Sequence, residues 1–257
     1  MENKSSIFVS SLTVNYEKTP VLWDLNFSLP SGMLVGIIGP NGAGKSTLFK
    51  TLIGTLKPLA GKILFFGQPF KKIRHRIAYV PQRSMVDWSF PVTVLDVVMM
   101  GCFGRLGFFK KPKQADRALA LNALDRLGIL PLADRQISEL SGGQQQRVFL
   151  ARALLQDGDI FLMDEPFAGV DLTTEKIMID LLKKLKTEGK TILIVHHDLS
   201  NISSTFDWVV MLNKSLIASG PVDEVFISEN IMRTFGRNDS LLEEVAKIAQ
   251  NKTTGMV

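Results

Sequence analysis

Residues 39–46 have the sequence Gly39-Pro40-Asn41-Gly42-Ala43-Gly44-Lys45-Ser46, which fits the pattern G-x-x-x-x-G-K-[ST]. A continuous apolar run at 33–38 precedes this loop, as expected of a strand buried on both faces, and a helix is predicted to follow at 45–53. Glycines let the backbone wrap a phosphate, and the helix N-terminus adds partial positive charge. We therefore expect a nucleotide-phosphate site, in which Lys45 reaches the β- and γ-phosphates, Ser46 binds Mg²⁺ and Thr47 bonds a phosphate oxygen.

Predicted strands and helices alternate on both sides of this loop. Apolar or alternating runs predict strands at 7–16, 25–29, 61–66, 77–80, 160–163, 191–195, 208–212 and 216–218. Helical spacing predicts helices at 94–102, 113–127, 142–155, 176–185 and 199–206, and around 241–249 in the tail. The alternation implies an α/β fold with a mostly parallel sheet, and the stretch from about 93 to 155 looks like a helical insertion.

Two carboxylates follow a short apolar run. Residues 160–163 predict a buried strand that ends in Asp164 and Glu165. The C-terminal end of such a strand faces the ligand crevice in open α/β sheets. Because phosphoryl transfer depends on positioning and charge stabilisation, we expect Asp164 to hold Mg²⁺ and Glu165 to orient or deprotonate the attacking water.

A second stretch, 140–147, has the sequence LSGGQQQR and resembles the LSGGQ signature of ABC ATPases. Ser141 is a good helix N-cap, and Gly142 and Gly143 leave backbone N–H groups free at the helix start. This predicts a second anion site without a lysine, which is useful if it receives the γ-phosphate held by Lys45 of another copy. The residues expected to act in this way are Ser141, Gly142, Gly143 and Gln144.

The resemblance to ABC ATPases covers about 7–236 and implies a role for several further residues. Tyr16 matches the aromatic residue that stacks on adenine, and Gln82 matches the glutamine that contacts Mg²⁺ and the attacking water. Asp171 matches the D-loop, which crosses a dimer interface. His197, directly before Asp198, matches the switch histidine that bonds the γ-phosphate, whereas the role of His196 stays open.

The site implied by motif and resemblance together has four parts. The expected catalytic residues are Glu165, His197 and Gln82. The expected ATP-binding residues are Tyr16, Gly39, Pro40, Asn41, Gly42, Ala43, Gly44, Lys45, Ser46 and Thr47. The expected Mg²⁺ ligands are Ser46, Gln82 and Asp164. The signature residues and Asp171 of a second copy would complete it.

The resemblance also implies an architecture, namely a P-loop NTPase (RecA-like) α/β core with an antiparallel β subdomain and an inserted α-helical subdomain. One ABC ATPase domain would occupy 1–257. Its core would lie at about 1–87 and 156–228, its helical subdomain at about 88–155 and a C-terminal helical tail at 229–257.

Several stretches are similar to the ATPases of manganese, zinc and iron importers, namely 87–94, 144–146, 167–171, 195–199 and 220–226. This resemblance implies a homodimer that sandwiches two Mg-ATP and drives integral membrane permease subunits, which would dock near 90–109. An extracytoplasmic binding protein would deliver the metal, with Mn²⁺ the first expectation, then Zn²⁺ or Fe²⁺. The alternative is an ABC ATPase without a membrane partner, such as an Fe–S assembly or repair factor.

Composition limits the remaining function classes. The 257 residues contain one cysteine, Cys102, which excludes an internal disulfide, and the histidines and cysteine are too few for a metal-binding regulator. The net charge is +5, but no block of Lys and Arg with interleaved aromatics predicts nucleic-acid binding. No apolar run reaches the roughly 18–20 residues of a membrane span, and the N-terminus does not resemble a signal peptide. We expect a peripheral protein on the cytoplasmic face of the cell membrane.

Overall fold

The computed structural model describes residues 5–16, 19–106 and 110–236. The helix predicted around 241–249, and the end of the docking region at 107–109, lie outside the described residues. The chain divides into two compact units, the first formed by Met1–Phe70 with Val195–Val257 and the second by Lys71–Ile194.

The described residues form an α/β fold. The strands are β1 (Ser5–Tyr16), β2 (Thr19–Pro30), β3 (Leu34–Ile38), β4 (Ala60–Phe65), β5 (Ile77–Val80), β6 (Ile160–Asp164), β7 (Thr191–Val195), β8 (Trp208–Asn213) and β9 (Ser215–Pro221). The α-helices are α1 (Lys45–Leu52), α2 (Phe70–Ile73), α3 (Val94–Met99), α4 (Phe103–Leu106), α5 (Gln114–Arg126), α6 (Gly142–Gln156), α7 (Leu172–Thr187), α8 (Ile202–Thr205), α9 (Val222–Val225) and α10 (Ser228–Phe235). Of these helices, none is long and apolar enough to cross a bilayer.

The first unit contains a three-stranded antiparallel sheet in the order β2-β1-β4. Alternating apolar residues at the start of β1, Ile7 and Val9, are fully or almost fully buried. The register shifts between Val9 and Leu12, and Ser11 there has a φ of 47°. Such a bulge changes which face the following residues occupy, so Leu12 and Val14 are buried as well.

In the same unit β3 pairs in parallel with β8, which forms an antiparallel hairpin with β9. Every residue of β3 is buried, as its continuous apolar sequence predicts. Gly36 permits a close approach here, because a Cβ on it would lie 3.1 Å from the ring of Phe206. The phosphate loop therefore starts from a strand that is fixed on both faces.

The second unit places β5, β6 and β7 side by side, with β5 parallel to β6. All residues of β6 and β7 are buried. Helices α3, α5 and α6 pack against one another, which confirms the helices predicted between 93 and 155. The stretch predicted as a helix at 94–102 is α3 followed by a 3₁₀ turn at Met100–Cys102.

Two predicted helix boundaries are wrong. Helix α7 begins at Leu172 rather than at 176, because the side chain of Asp171 caps it by accepting a hydrogen bond from the N–H of Thr174. Helix α8 covers only Ile202–Thr205 of the predicted 199–206, since Phe206 is extended and packs its ring over Gly36.

Candidate nucleotide site

The phosphate loop lies between β3 and α1. A Cβ on Gly39 would lie 2.0 Å from the carbonyl oxygen of Leu212 in β8, so only glycine fits there. Gly44 is the N-cap of α1 with a φ of 95°, and a Cβ on it would lie 2.3 Å from a methyl carbon of Leu22. The two glycines therefore hold the loop against β8 at one end and β2 at the other.

Lys45 is the first residue of α1 and is almost fully buried. Its Nζ donates hydrogen bonds to the carbonyl oxygens of Gly39 at 2.7 Å and Pro40 at 2.9 Å. No acidic residue lies in the first turn of α1 to neutralise the partial positive charge of the helix N-terminus. A lysine at a glycine-rich helix start fits a polyphosphate, while Ser46 is half-buried and Thr47 is buried beside it.

Tyr16 ends β1 with 45% of its surface exposed. Its strand pairs with β2, where Val14 faces Leu22, the residue in contact with Gly44. The β1–β2 hairpin is thus attached to the phosphate loop, and the exposed ring of Tyr16 is available to a planar ligand.

The two adjacent histidines follow β7 and have different environments. The strand ends at Val195, so both histidines lie in the loop that follows it. His196 is buried, its N–H donates to the carbonyl of Ile37 in β3 at 3.0 Å, and its ring lies 5.6 Å from that of Phe206. His197 is exposed. Among the described residues, no cluster of three or more His, Cys, Asp or Glu side chains could hold a metal ion.

Asp198 follows His197 and is held ionised. Burial acts to raise the pKa of its carboxyl group, but hydrogen bonds from the hydroxyl and N–H of Ser200, at 2.7 and 2.9 Å, together with the histidine charges, lower that pKa below its usual value. A negative charge therefore lies next to the predicted switch histidine in sequence.

In the second unit, Gln82 and Glu165 are in direct contact. Nε2 of Gln82 donates to Oε2 of Glu165 at 2.8 Å. Glu165 follows β6 with a φ of 49°, a left-handed conformation that is uncommon for residues other than glycine and often marks a functional site. The structure brings together two of the three predicted catalytic residues, directly after the buried Asp164.

Tyr79, in β5, was not predicted from the sequence. Burial, with the negative charge of Asp164 nearby, raises the pKa of Tyr79 to about 12. The Tyr79 phenol thus lies in a buried environment that the charge of Asp164 reaches, and no sequence pattern indicated it.

The signature residues lie at the start of α6. Ser141 is the exposed N-cap, and it forms a capping box with Gln144, whose Oε1 accepts from the N–H of Ser141 at 2.9 Å. Gly142 and Gly143 form the first turn, in which no acidic residue lies. Gln144 thus shapes the helix start, where Ser141 is exposed and the partial positive charge of the helix suits an anion.

Asp171 lies close to the signature within the same unit. Its carboxylate accepts from the N–H of Thr174 at 2.9 Å and from the Thr174 hydroxyl at 2.7 Å, and these hydrogen bonds lower the pKa of Asp171. A Cβ on Gly143 would lie 4.0 Å from the Asp171 carboxylate. The D-loop residue is therefore a fixed neighbour of the signature helix.

Each unit carries one part of the predicted set. The first unit holds Tyr16, the phosphate loop and His197, and the second holds Gln82, Asp164, Glu165, the signature and Asp171. Three further residues of the second unit, Arg83, Gln145 and Gln146, contact this set but were not predicted. Nε2 of Gln146 lies 3.5 Å from the carbonyl oxygen of Glu165.

The α/β fold and the glycine-rich loop that ends in Lys45 at a helix start define a P-loop ATPase. Residues 22–168 match the family described as ABC transporter, and the chain belongs to that family.

The chain is similar over nearly its whole length to ATP-binding subunits of transport systems. It is 52% identical to the manganese transport system ATP-binding protein MntB of Bacillus subtilis, with 92% of this chain and 94% of the relative covered. It is 53% identical to the zinc transport system ATP-binding protein TroB of Treponema pallidum, with 90% and 87% covered. The solved structure of cbiO1 from Clostridium perfringens, part of the ABC transporter complex cbiONQ, matches with a TM-score of 0.75 at 32% identity, with 90% and 94% covered.

Proposed function

We propose that two copies of this chain close around two Mg-ATP and drive the membrane subunits of an importer for a divalent transition metal. One observation carries the dimer: the chain has two anion-binding helix starts, α1 with Lys45 and α6 without a lysine. A helix start that has no lysine of its own suits a phosphate that the lysine of another site already binds. The chain would form one ABC ATPase domain, with the helical subdomain at about 88–155.

Each residue of the site has a proposed task. Lys45, with the N–H groups of the loop, binds the phosphates, and Tyr16 stacks on the adenine. Ser46, Gln82 and Asp164 offer the oxygen ligands that Mg²⁺ prefers, and the ion would neutralise phosphate charge.

Residues near the γ-phosphate of the bound ATP would carry out hydrolysis. Glu165, held by the Gln82 amide, orients the attacking water and accepts its proton. His197 bonds the γ-phosphate, and Asp171 meets the second copy.

The permease subunits would dock on the helical region near 90–109. A groove of about 620 Å³ there is lined by Leu95, Asp96, Met99, Met100, Phe103, Pro112, Lys113, Gln114 and Arg117. Phe90 and Phe103 are at least half exposed, at 58% and 50%, and Met100 is 38% exposed. Flexible methionines and exposed aromatic side chains suit a surface that receives a partner helix.

The names of the relatives support a manganese or zinc cargo. We propose Mn²⁺ first, then Zn²⁺ or Fe²⁺, with an extracytoplasmic binding protein that delivers the ion. The chain would then act on the cytoplasmic face of the cell membrane. The alternative of an ABC ATPase without a membrane partner is not favoured, because these relatives are subunits of transport systems.

The substitution Glu165→Gln tests the hydrolytic role and the dimer together. It keeps the shape and the contact with Gln82 but removes the proton acceptor, so we expect turnover to fall at least about 100-fold while ATP still binds. Light scattering with saturating ATP should then detect a trapped dimer.

The matched control is Glu188→Gln, an exposed residue after α7, which should turn over ATP like the wild type. Wild-type turnover in Glu165→Gln would contradict the role of Glu165. A protein that stays monomeric with bound ATP would contradict the dimer.

A further inference from the structure

The loop after Gln82 is fixed to one face of α6. Nε of Arg83 donates to Oε1 of Gln145 at 2.9 Å. The guanidinium of Arg83 also covers Gly142, where a Cβ would lie 3.1 Å from Cζ of Arg83. Residues 142 and 145 are three apart and lie on the same helix face, so Arg83 contacts the first turn of the signature helix.

A second contact, between aromatic rings, fixes the same loop one turn further along α6. The ring of Trp88 meets Phe149 edge to face at 5.0 Å, and Nε1 of Trp88 donates to the carbonyl of Arg83 at 2.9 Å. Because Phe149 lies four residues after Gln145, both contacts use one face of the helix. Trp88 therefore holds the main chain of Arg83, and Gln145 holds its side chain.

Gln145 is a rigid partner for Arg83. It is almost fully buried, and its Nε2 donates to the carbonyl of Ile137 at 3.1 Å while Oε1 accepts from Arg83. An amide with both ends bonded cannot flip without losing a buried hydrogen bond. A displacement of the start of α6 would therefore be transmitted to Arg83.

Arg83 directly follows Gln82, whose side chain bonds Glu165 at 2.8 Å. We propose that Arg83 is a positioning residue that couples the signature end of α6 to the Gln82–Glu165 pair of the same chain. This inference rests on the proposed dimer, in which the signature binds the ATP held by the other copy. When the signature of one copy engages the ATP held by the other copy, Arg83 would position Gln82 and Glu165 at the ATP of its own copy. The two sites would then hydrolyse ATP cooperatively.

The test compares Arg83→Met and Gln145→Met in steady-state ATPase assays. Each removes one end of the hydrogen bond, so each should lower kcat about tenfold with little change in KM for ATP, and should lower the Hill coefficient towards unity. The double variant should be no worse than either single variant, because both remove the same contact. Arg83→Lys, which keeps a donor, should recover part of kcat and of the cooperativity.

Two measurements separate positioning from simple structural support. In the Glu165→Gln background, Arg83→Met should still form the ATP-dependent dimer, since it leaves the binding residues in place. Arg76→Met is the matched control, because Arg76 is an arginine of the same unit whose guanidinium also bonds one polar side chain, that of Asp159. It should change thermal stability as much as Arg83→Met does and leave kcat and the Hill coefficient unchanged.

Different results would contradict the coupling through Arg83 and the proposed dimer. Wild-type kcat and cooperativity in Arg83→Met, or a loss of kcat that only follows a loss of folded protein, would overturn the coupling. A wild-type protein without cooperativity would overturn it as well. Ser141→Arg should block closure and abolish turnover, and if it leaves the ATPase unchanged, the proposed dimer itself is wrong.

Discussion

At position 39 the backbone of the phosphate loop lies against β8 too closely for any side chain. The sequence motif explains this glycine by the need to wrap a phosphate, and the structure adds a second reason, the carbonyl of Leu212 at 2.0 Å from where a Cβ would be. The carbonyl of Gly39 also holds Lys45. A shift of this one residue would therefore move the main cation of the loop.

We predict that Gly39→Ala loses about 1–3 kcal/mol of unfolding free energy, because the methyl group overpacks a rigid backbone contact. It should also weaken ATP binding strongly by displacing Lys45. Urea unfolding and ATP titration measure the two effects.

Gly67→Ala is the control for this prediction. Gly67 has a φ of 76° with nothing within 4 Å of its Cβ position, so alanine there should cost about 1 kcal/mol through backbone strain alone. Its ATP affinity should match the wild type. Equal ATP affinities in the two variants would contradict the role given to Gly39.

At the scale of elements, α6 and α3 both begin with a capping box. Ser141 and Gln144 form the first, and Thr93 and Asp96 form the second, with the N–H of Asp96 donating to the Thr93 hydroxyl at 3.1 Å. The two helices therefore provide a matched pair, of which only α6 is proposed to contact ATP.

We predict that Ser141→Ala and Thr93→Ala each lower stability by about 1 kcal/mol through loss of the N-cap. Only Ser141→Ala should also lower ATP turnover and the amount of ATP-dependent dimer, because the Ser141 hydroxyl is proposed to bind the other copy's phosphate. Thermal unfolding and ATPase assays on both variants check this. Equal turnover in the two would remove Ser141 from the site.

The sequence predicted the buried strands and most helix starts to within one residue, but it placed the starts of α7 and α8 wrongly. The strands β3, β6 and β7 are continuous apolar runs with every residue buried, so composition alone sets their limits to within about one residue. Helix α7 starts earlier than its apolar spacing indicates, because Asp171 caps it. Capping depends on one side chain and does not change the periodicity of the helix.

The residues of the candidate site also differ in whether the sequence could predict them. Glu165 could be predicted from its place after a buried strand, and Gln82 from the resemblance to ABC ATPases. The structure adds that their side chains are in contact at 2.8 Å. Arg83 and Gln145 could not be predicted to pair, because they lie 62 positions apart in the chain and belong to no common spacing. They meet only because the 3₁₀ turn at Arg83–Met85 packs on α6.

At the scale of the whole molecule, the proposed import function needs more than this chain. In that proposal this chain supplies the ATP-driven step, and the membrane subunits carry the cargo. The cargo must therefore be tested in the cell, with hydrolysis as the variable.

We predict that a strain lacking this chain contains less manganese in manganese-limited medium, as measured by elemental mass spectrometry of whole cells. The wild-type chain and Glu188→Gln should restore the manganese content, whereas Glu165→Gln should not, because it is expected to bind ATP without turning it over. Magnesium and potassium contents should stay constant in all strains. A deficit confined to zinc or iron would reassign the cargo, since in the proposed assembly the membrane subunits select the ion. Unchanged contents of all three metals would contradict the import of a transition metal and leave the ATPase and dimer predictions to stand on their own tests.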